Sequence, residues 1–143
     1  MRAVLQRVVR PRVTVDGRVA GEIGRGLCVL VAVESGDATA DAERLGRKIA
    51  RLRIFEGDDG RFARSVVDAG GDALVVSNFT LAADSAKGNR PSFSRAAAPE
   101  EAAAIVEALC AALRGSGVPV ATGEFGARMA VELVNDGPVT LVL

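Results

Sequence analysis

"GLCVLVAVE", residues 26–34, carries a single charge, at its last position. A strand with one wet face alternates apolar and polar residues. This run does not, so it reads as a central strand covered on both faces. Upstream, "RAVLQRVVR" (2–10) alternates well enough for a strand. "RVTVDGRVAGEIG" (12–24) then sets Asp16-Gly17 between two short runs, the strongest local signal for a β-hairpin. Downstream the period changes. From Thr39 to about Arg53, Leu45, Ile49 and Leu52 recur at i, i+4 and i+7, the apolar stripe of a helix. Asp37 or Thr39 is placed to cap its start.

Further along, Asp59-Gly60 and Gly70-Gly71 are turns, and "DALVVSNF" (72–79) is the next strand. Residues 82–98 hold Gly and Pro without periodicity, and a loop of that length is usually functional or mobile. A second helix is expected from Pro99, a favoured first position, to Arg114, with Ile105, Val106, Leu109 and Leu113 on one face. "GSG" (115–117) stops it. A short strand over Pro119–Thr122 follows, then a longer one from Arg128 to Val134, the turn "NDGP" (135–138) and a final strand at 139–143. The expectation is one mixed α/β domain over residues 1–143, with antiparallel hairpins at both ends and two helices between them.

Composition narrows the chemistry. The 143 residues include no histidine, which removes Ser-His-Asp and Cys-His catalysis and every histidine-ligated metal site. Cys28 and Cys110 both have apolar neighbours and no second cysteine nearby. They read as buried free thiols in a reducing compartment. No apolar run approaches a membrane span, and the opening lacks a signal peptide's apolar segment, so a cytoplasmic location is expected. Net charge is zero, yet residues 1–53 hold 11 Lys/Arg against 6 Asp/Glu and residues 54–143 hold 7 against 12. Arg44, Arg47, Lys48 and Arg51 form a basic ridge on the first helix. Such a ridge is usually a solvated face, and it equally suits a phosphate backbone.

Three places could carry chemistry. Ser77-Asn78-Phe79-Thr80 ends a strand, where open α/β sheets tend to bind ligands. The plainer reading is a turn with Phe79 in the core. "NDGPVT" (135–140) reads as a hairpin turn, although Pro138 at a strand start removes a ladder donor. In "GNRPSFS" (88–94), Arg90 could meet an anion and Phe93 could stack, or the segment could be only a surface loop.

The opening "AVLQRVVRPRVTVDG", then "GEIGRGLCVLVAVE", "VVSNFTLAAD", "GNRPSFS" and "TGEFGARMAVELVNDGPVT" together resemble the bacterial D-aminoacyl-tRNA deacylases, in order and over essentially the whole chain. The resemblance implies a homodimer with helices packed on one side of two β layers (α/β/β). It implies hydrolysis of the ester joining a D-amino acid, or glycine, to the tRNA 3′ end, without metal or cofactor. It also implies a cis Gly137-Pro138 bond reaching into the partner's site, where the pair's carbonyl oxygens capture the substrate ammonium. An L side chain would then collide with that backbone. By the same resemblance, Ser77, Phe79 and Thr80 form the catalytic floor, and Gly137, Pro138, Asn78, Met129, Arg90 and Phe93 bind substrate. Thr80 is not expected to be a nucleophile, since no base lies near it in sequence.

This chain has Asn78 where the family usually has glutamine, and it stops at Leu143, a little sooner than many relatives, where a tail contact at the dimer could be missing. Met129 alternates with Val131 and Leu133 and suits core packing as well as a substrate contact. Three rivals are a deacylase for mischarged glycine or L-alanine with a trans Gly-Pro bond, an RNA-binding module without turnover, and a purely structural dimer.

Overall fold

The computed structural model describes every residue except Lys87. The chain order is β1 (Arg2–Val15), β2 (Arg18–Glu22), β3 (Arg25–Ala32), α1 (Thr39–Arg51), β4 (Phe55–Glu56), β5 (Phe62–Arg64), β6 (Asp72–Ser77), a 3-10 turn (Phe79–Ala82), α2 (Pro99–Gly115), β7 (Val120–Thr122) and β8 (Ala130–Val142). Among the described residues, no helix is long and apolar enough to cross a membrane.

β1 and β2 form the expected hairpin. Asp16 and Gly17 both take positive φ, 49° and 79°, as the mirror-image turn favoured in two-residue hairpins requires. β1 also pairs antiparallel with β3, and β3 runs parallel to β6, which runs parallel to β7. The residues of β3 are nearly all buried, as an uninterrupted apolar run demands. α1 lies on the crossover from β3 to β6 and α2 on the crossover from β6 to β7. Both crossovers put a helix on the same side of the sheet, the arrangement expected.

The two β layers are not separate sheets. Six strands form one sheet, which curls until β2 meets β7. Gly21 permits this closure, because a Cβ there would overlap the Thr122 carbonyl oxygen. The large core lies between sheet and helices, with Leu5, Leu27, Val29 and Val75 against Ile49, Leu109 and Leu113. A smaller cluster, Val13, Leu74 and Val76, fills the inside of the curl.

Two local expectations are corrected. Neither Asp37 nor Thr39 caps α1: Ala38 takes the cap position, and its N–H donates to Asp41 Oδ2 at 2.9 Å. Asp37 is engaged elsewhere, accepting from the Glu34 N–H at 2.7 Å.

The larger correction concerns the C-terminal hairpin. Residues 135–138 are not a turn. Val134 pairs with Val9 and Thr140 with Gln6, so both sides of "NDGP" lie along the same neighbour, β1, and the chain does not reverse. The four residues 136–139 bulge out opposite Arg7 alone. Pro138 has no N–H to offer the ladder, and the Val139 N–H donates to Asn135 Oδ1 at 3.0 Å instead. The long edge of β1 holds both segments, so a bulge replaces the turn that Asp-Gly suggested.

Candidate active site

β6 ends at Ser77 because its ladder with β3 ends there, at the pair Val31–Ser77. One more bond, Asn78 N–H to the Val31 carbonyl at 2.8 Å, carries the chain to the sheet's rim before it turns. In the 3-10 turn that follows, the Asn78 and Thr80 carbonyls accept from Leu81 and Ala83. The first N–H groups of any helical turn have no partner within it. Here the N–H groups of Phe79 and Thr80 donate to no acceptor outside their own turn among the described residues.

Phe79 is not in the core; 59% of it is exposed. It forms the wall of a cleft of about 680 Å³ together with Ser77, Asn78, Phe125, Ala127 and Met129. Ala96 and Ala97 line it too, with Pro99, Ala102 and Val106 from the first half of α2. The lining is therefore mostly apolar, with Ser77 and Asn78 as its polar side chains. Val106, expected on the core face of its helix, packs against the large core and lines the cleft as well.

Beside the cleft, Phe93 meets Phe79 edge to face, with ring centroids 5.1 Å apart and planes at 64°. The Asp84–Ser92 bridge pins the base of the loop that delivers it. The Thr80 hydroxyl donates to Asn78 Oδ1 at 2.5 Å, so these two side chains hold each other rather than the local backbone. Met129 lines the cleft and also packs on the inner cluster, so its two readings hold together.

Not every expected residue converges. Arg90 is exposed on the loop and does not line the cleft. Gly137 and Pro138 lie on the bulge of β8, exposed and joined by a cis bond, and do not line the cleft.

Behind the pair stands a residue that sequence reasoning missed. Arg7 is 3% exposed; its Nη1 donates to the Ile54 carbonyl at 2.8 Å and its Nε to the Asp136 carbonyl at 3.0 Å. The Glu56 carboxylate lies 3.5 Å from Nη2, and the Phe62 ring 5.7 Å from the guanidinium carbon. The alternation of β1 could have revealed it: Arg7 shares the inward parity of Ala3 and Leu5, where a charge needs partners. Phe125, in "GEFG", was also missed, and nothing in its local pattern marks it.

Burial pushes the thiol pKa of Cys28 up to about 11, and burial with the nearby Glu107 charge does the same for Cys110. Both are buried thiols, as expected, and neither lines the cleft. Among the described residues, no three Cys, Asp or Glu side chains gather as metal ligands would.

Residues 4–143 match the family model described as D-Tyr-tRNA(Tyr) deacylase. The D-aminoacyl-tRNA deacylase of Roseiflexus castenholzii is 59% identical over 143 residues, all of this chain and 91% of the relative. That of Heliobacterium modesticaldum is 57% identical over 143 residues, all of this chain and 95% of the relative.

Among solved structures, a c-Myc DNA unwinding element binding protein superposes with a TM-score of 0.92 at 41% identity, covering 100% of this chain and 97% of that one. A probable eukaryotic D-amino acid tRNA deacylase superposes with a TM-score of 0.85 at 20% identity, covering 99% and 97%, which speaks to the fold alone. The Phe79–Thr80 turn, an apolar cleft without histidine and these whole-length matches agree: the chain belongs to the D-Tyr-tRNA(Tyr) deacylase family, hydrolases of the aminoacyl-tRNA ester bond.

Proposed function

We propose that residues 1–143 act as one cytoplasmic domain, in a homodimer, to hydrolyse D-aminoacyl-tRNA and glycyl-tRNA while sparing L-aminoacyl-tRNA. The observation that carries this reading is the turn at Phe79–Thr80, whose first N–H groups have no acceptor outside it, next to an apolar cleft lined by Ser77, Asn78 and Phe79. An aminoacyl ester is already activated, so water can attack its carbonyl carbon without a strong base. The developing oxyanion then needs donors fixed in advance, and one such backbone donor is typically worth ~10²–10³ in rate. As the tetrahedral intermediate collapses, the C–O bond to the terminal ribose breaks and that oxygen takes up a proton. The RNA's own 2′-hydroxyl is the nearest group able to relay it.

Chirality enters through Gly137 and Pro138 of a second copy. Their exposure, and their absence from the lining of their own chain's cleft, suit a segment that completes a neighbour's site. With the substrate ammonium on their carbonyl oxygens and the ester on the Phe79–Thr80 donors, the α-carbon is held at two points. An L side chain would meet the Gly-Pro backbone, a D side chain points outward, and glycine has none. Selectivity then comes from steric exclusion, without a pocket that reads side-chain identity. Met129 and the Phe79–Phe93 pair would hold the terminal adenosine, with Ser77 and Asn78 as polar contacts and Arg90 meeting phosphate from the loop.

A second reading, nucleic-acid binding without turnover, has in its favour the name carried by the 41%-identical structure. Deacylation of D-Tyr-tRNA, L-Tyr-tRNA and Gly-tRNA by the purified protein, with chelator present, separates the two. Loss of the D and glycyl esters with the L ester spared is expected. Binding of all three without hydrolysis of any would replace the deacylase reading with the second one.

A further inference from the structure

The cleft sits at the first half of α2. At that helix's other end lies a second groove, of about 580 Å³, between the end of α1, the turn at Ser65–Asp68 and Gly115–Ser116. Three arginines line it, Arg47, Arg51 and Arg53, against one acidic residue, Asp68. Asp68 is already engaged: its Oδ2 accepts from the Ser65 N–H at 2.9 Å and the Ser65 hydroxyl at 2.8 Å. Arg47 has one exposed ion pair, to Glu43 at 3.5 Å, and Arg51 and Arg53 have none among the described residues. The dipole of α1 explains a cation in its last turn, where Arg51 stands. It does not explain Arg53, which lies beyond the helix, or Arg47, a turn earlier. Three exposed guanidiniums with unused donors around one groove suit an anion presenting several oxygens in series.

α2 also sets a distance. Its 17 residues, Pro99–Gly115, span about 25 Å at 1.5 Å per residue. That is less than one turn of a nucleic-acid duplex, about 34 Å in B-form DNA. A tRNA whose 3′ end enters the cleft and whose acceptor arm runs along α2 would have phosphates within reach of the groove. We propose that the Arg47–Arg51–Arg53 groove docks the phosphate backbone of the tRNA acceptor arm. The proposal rests on the reading that the cleft takes the 3′ end. It makes the helix layer the tRNA-facing side of the protein, holding the arm by charge without reading its sequence.

The test is the triple variant Arg47→Ala/Arg51→Ala/Arg53→Ala, with Arg53→Glu alone as a milder companion and circular dichroism confirming that both fold. Binding of an uncharged tRNA transcript is titrated at several salt concentrations. Deacylation is followed on D-Tyr-tRNA and on the 3′-D-tyrosyl ester of adenosine alone.

Expected for the triple variant are an affinity for tRNA weaker by about tenfold or more and a log–log salt slope shallower by about 2–3, as loss of three phosphate contacts requires. KM for D-Tyr-tRNA should rise in step, with kcat and hydrolysis of the adenosine ester unchanged. Unaltered tRNA affinity and salt slope in both folded variants would overturn the groove as the docking site. Failure of the wild type to cleave either D-ester would instead overturn the deacylase reading, and the tRNA titration would still decide the groove.

Discussion

Arg7 ties Ile54 to Asp136. Its Nη1 donates to the Ile54 carbonyl at 2.8 Å and its Nε to the Asp136 carbonyl at 3.0 Å, one residue before Gly137. A single buried guanidinium thus fixes the bulge of β8 that carries the Gly-Pro pair. Replacing Arg7 with Met would leave two carbonyls short of a donor. The flanking carboxylates, Glu56 and Asp136, are partly exposed and can turn to water, which lowers the cost below that of a fully buried pair. About 2–3 kcal/mol of stability should be lost, read from the urea midpoint. Arg7→Lys should recover less than half of it, because an ammonium cannot span both carbonyls in the fixed geometry of the fork.

At the rim of the cleft, side chain and backbone of one residue can be separated. Thr80→Ala removes the hydroxyl that holds Asn78 and leaves the Thr80 N–H in place. Its single-turnover rate on D-Tyr-tRNA should stay within a few-fold of wild type. Thr80→Pro deletes the N–H itself, at a position where the turn does not use it. Its rate should fall by ~10²–10³. A large loss in the alanine variant, or none in the proline variant, would shift the catalytic role from backbone to hydroxyl.

The thiols give a pH dependence with a definite sign. Cys28 and Cys110 have folded pKa values pushed up to about 11, above the ordinary value near 9. The folded protein therefore keeps protons that the unfolded chain has lost between about pH 9 and 11, and the associated stability is lost as pH rises through that window. Thermal midpoints should fall over this range, and fall less in a Cys28→Ala/Cys110→Ala variant measured against its own value at pH 8. At pH 8 neither thiol should react with iodoacetamide until denaturant is added, because the reactive thiolate is scarce and buried.

Much of this architecture is decided by short stretches of sequence. Leu45, Ile49 and Leu52 recur at helical spacing, Asp16-Gly17 can adopt positive φ at both positions, and residues 26–34 have no polar face to show water. Each signal acts over a few residues, and β1, β2, β3, α1, β6, α2 and β7 all form where those signals place them, within a few residues.

The signals that misled were equally local. Asp136-Gly137 looks like a hairpin turn because the long edge of β1, more than a hundred residues earlier, is invisible from within "NDGPVT". Which residues share the cleft was likewise decided only by tertiary structure. Register between β3 and β6 brings Val31 beside Ser77, the Asp84–Ser92 bridge delivers Phe93 to Phe79, and the curl of the sheet brings Phe125 and Met129 to the same wall. Residues brought together across such sequence distances are selected by packing and strand register. Those are properties of the folded chain as a whole and leave no periodicity for a local pattern to carry.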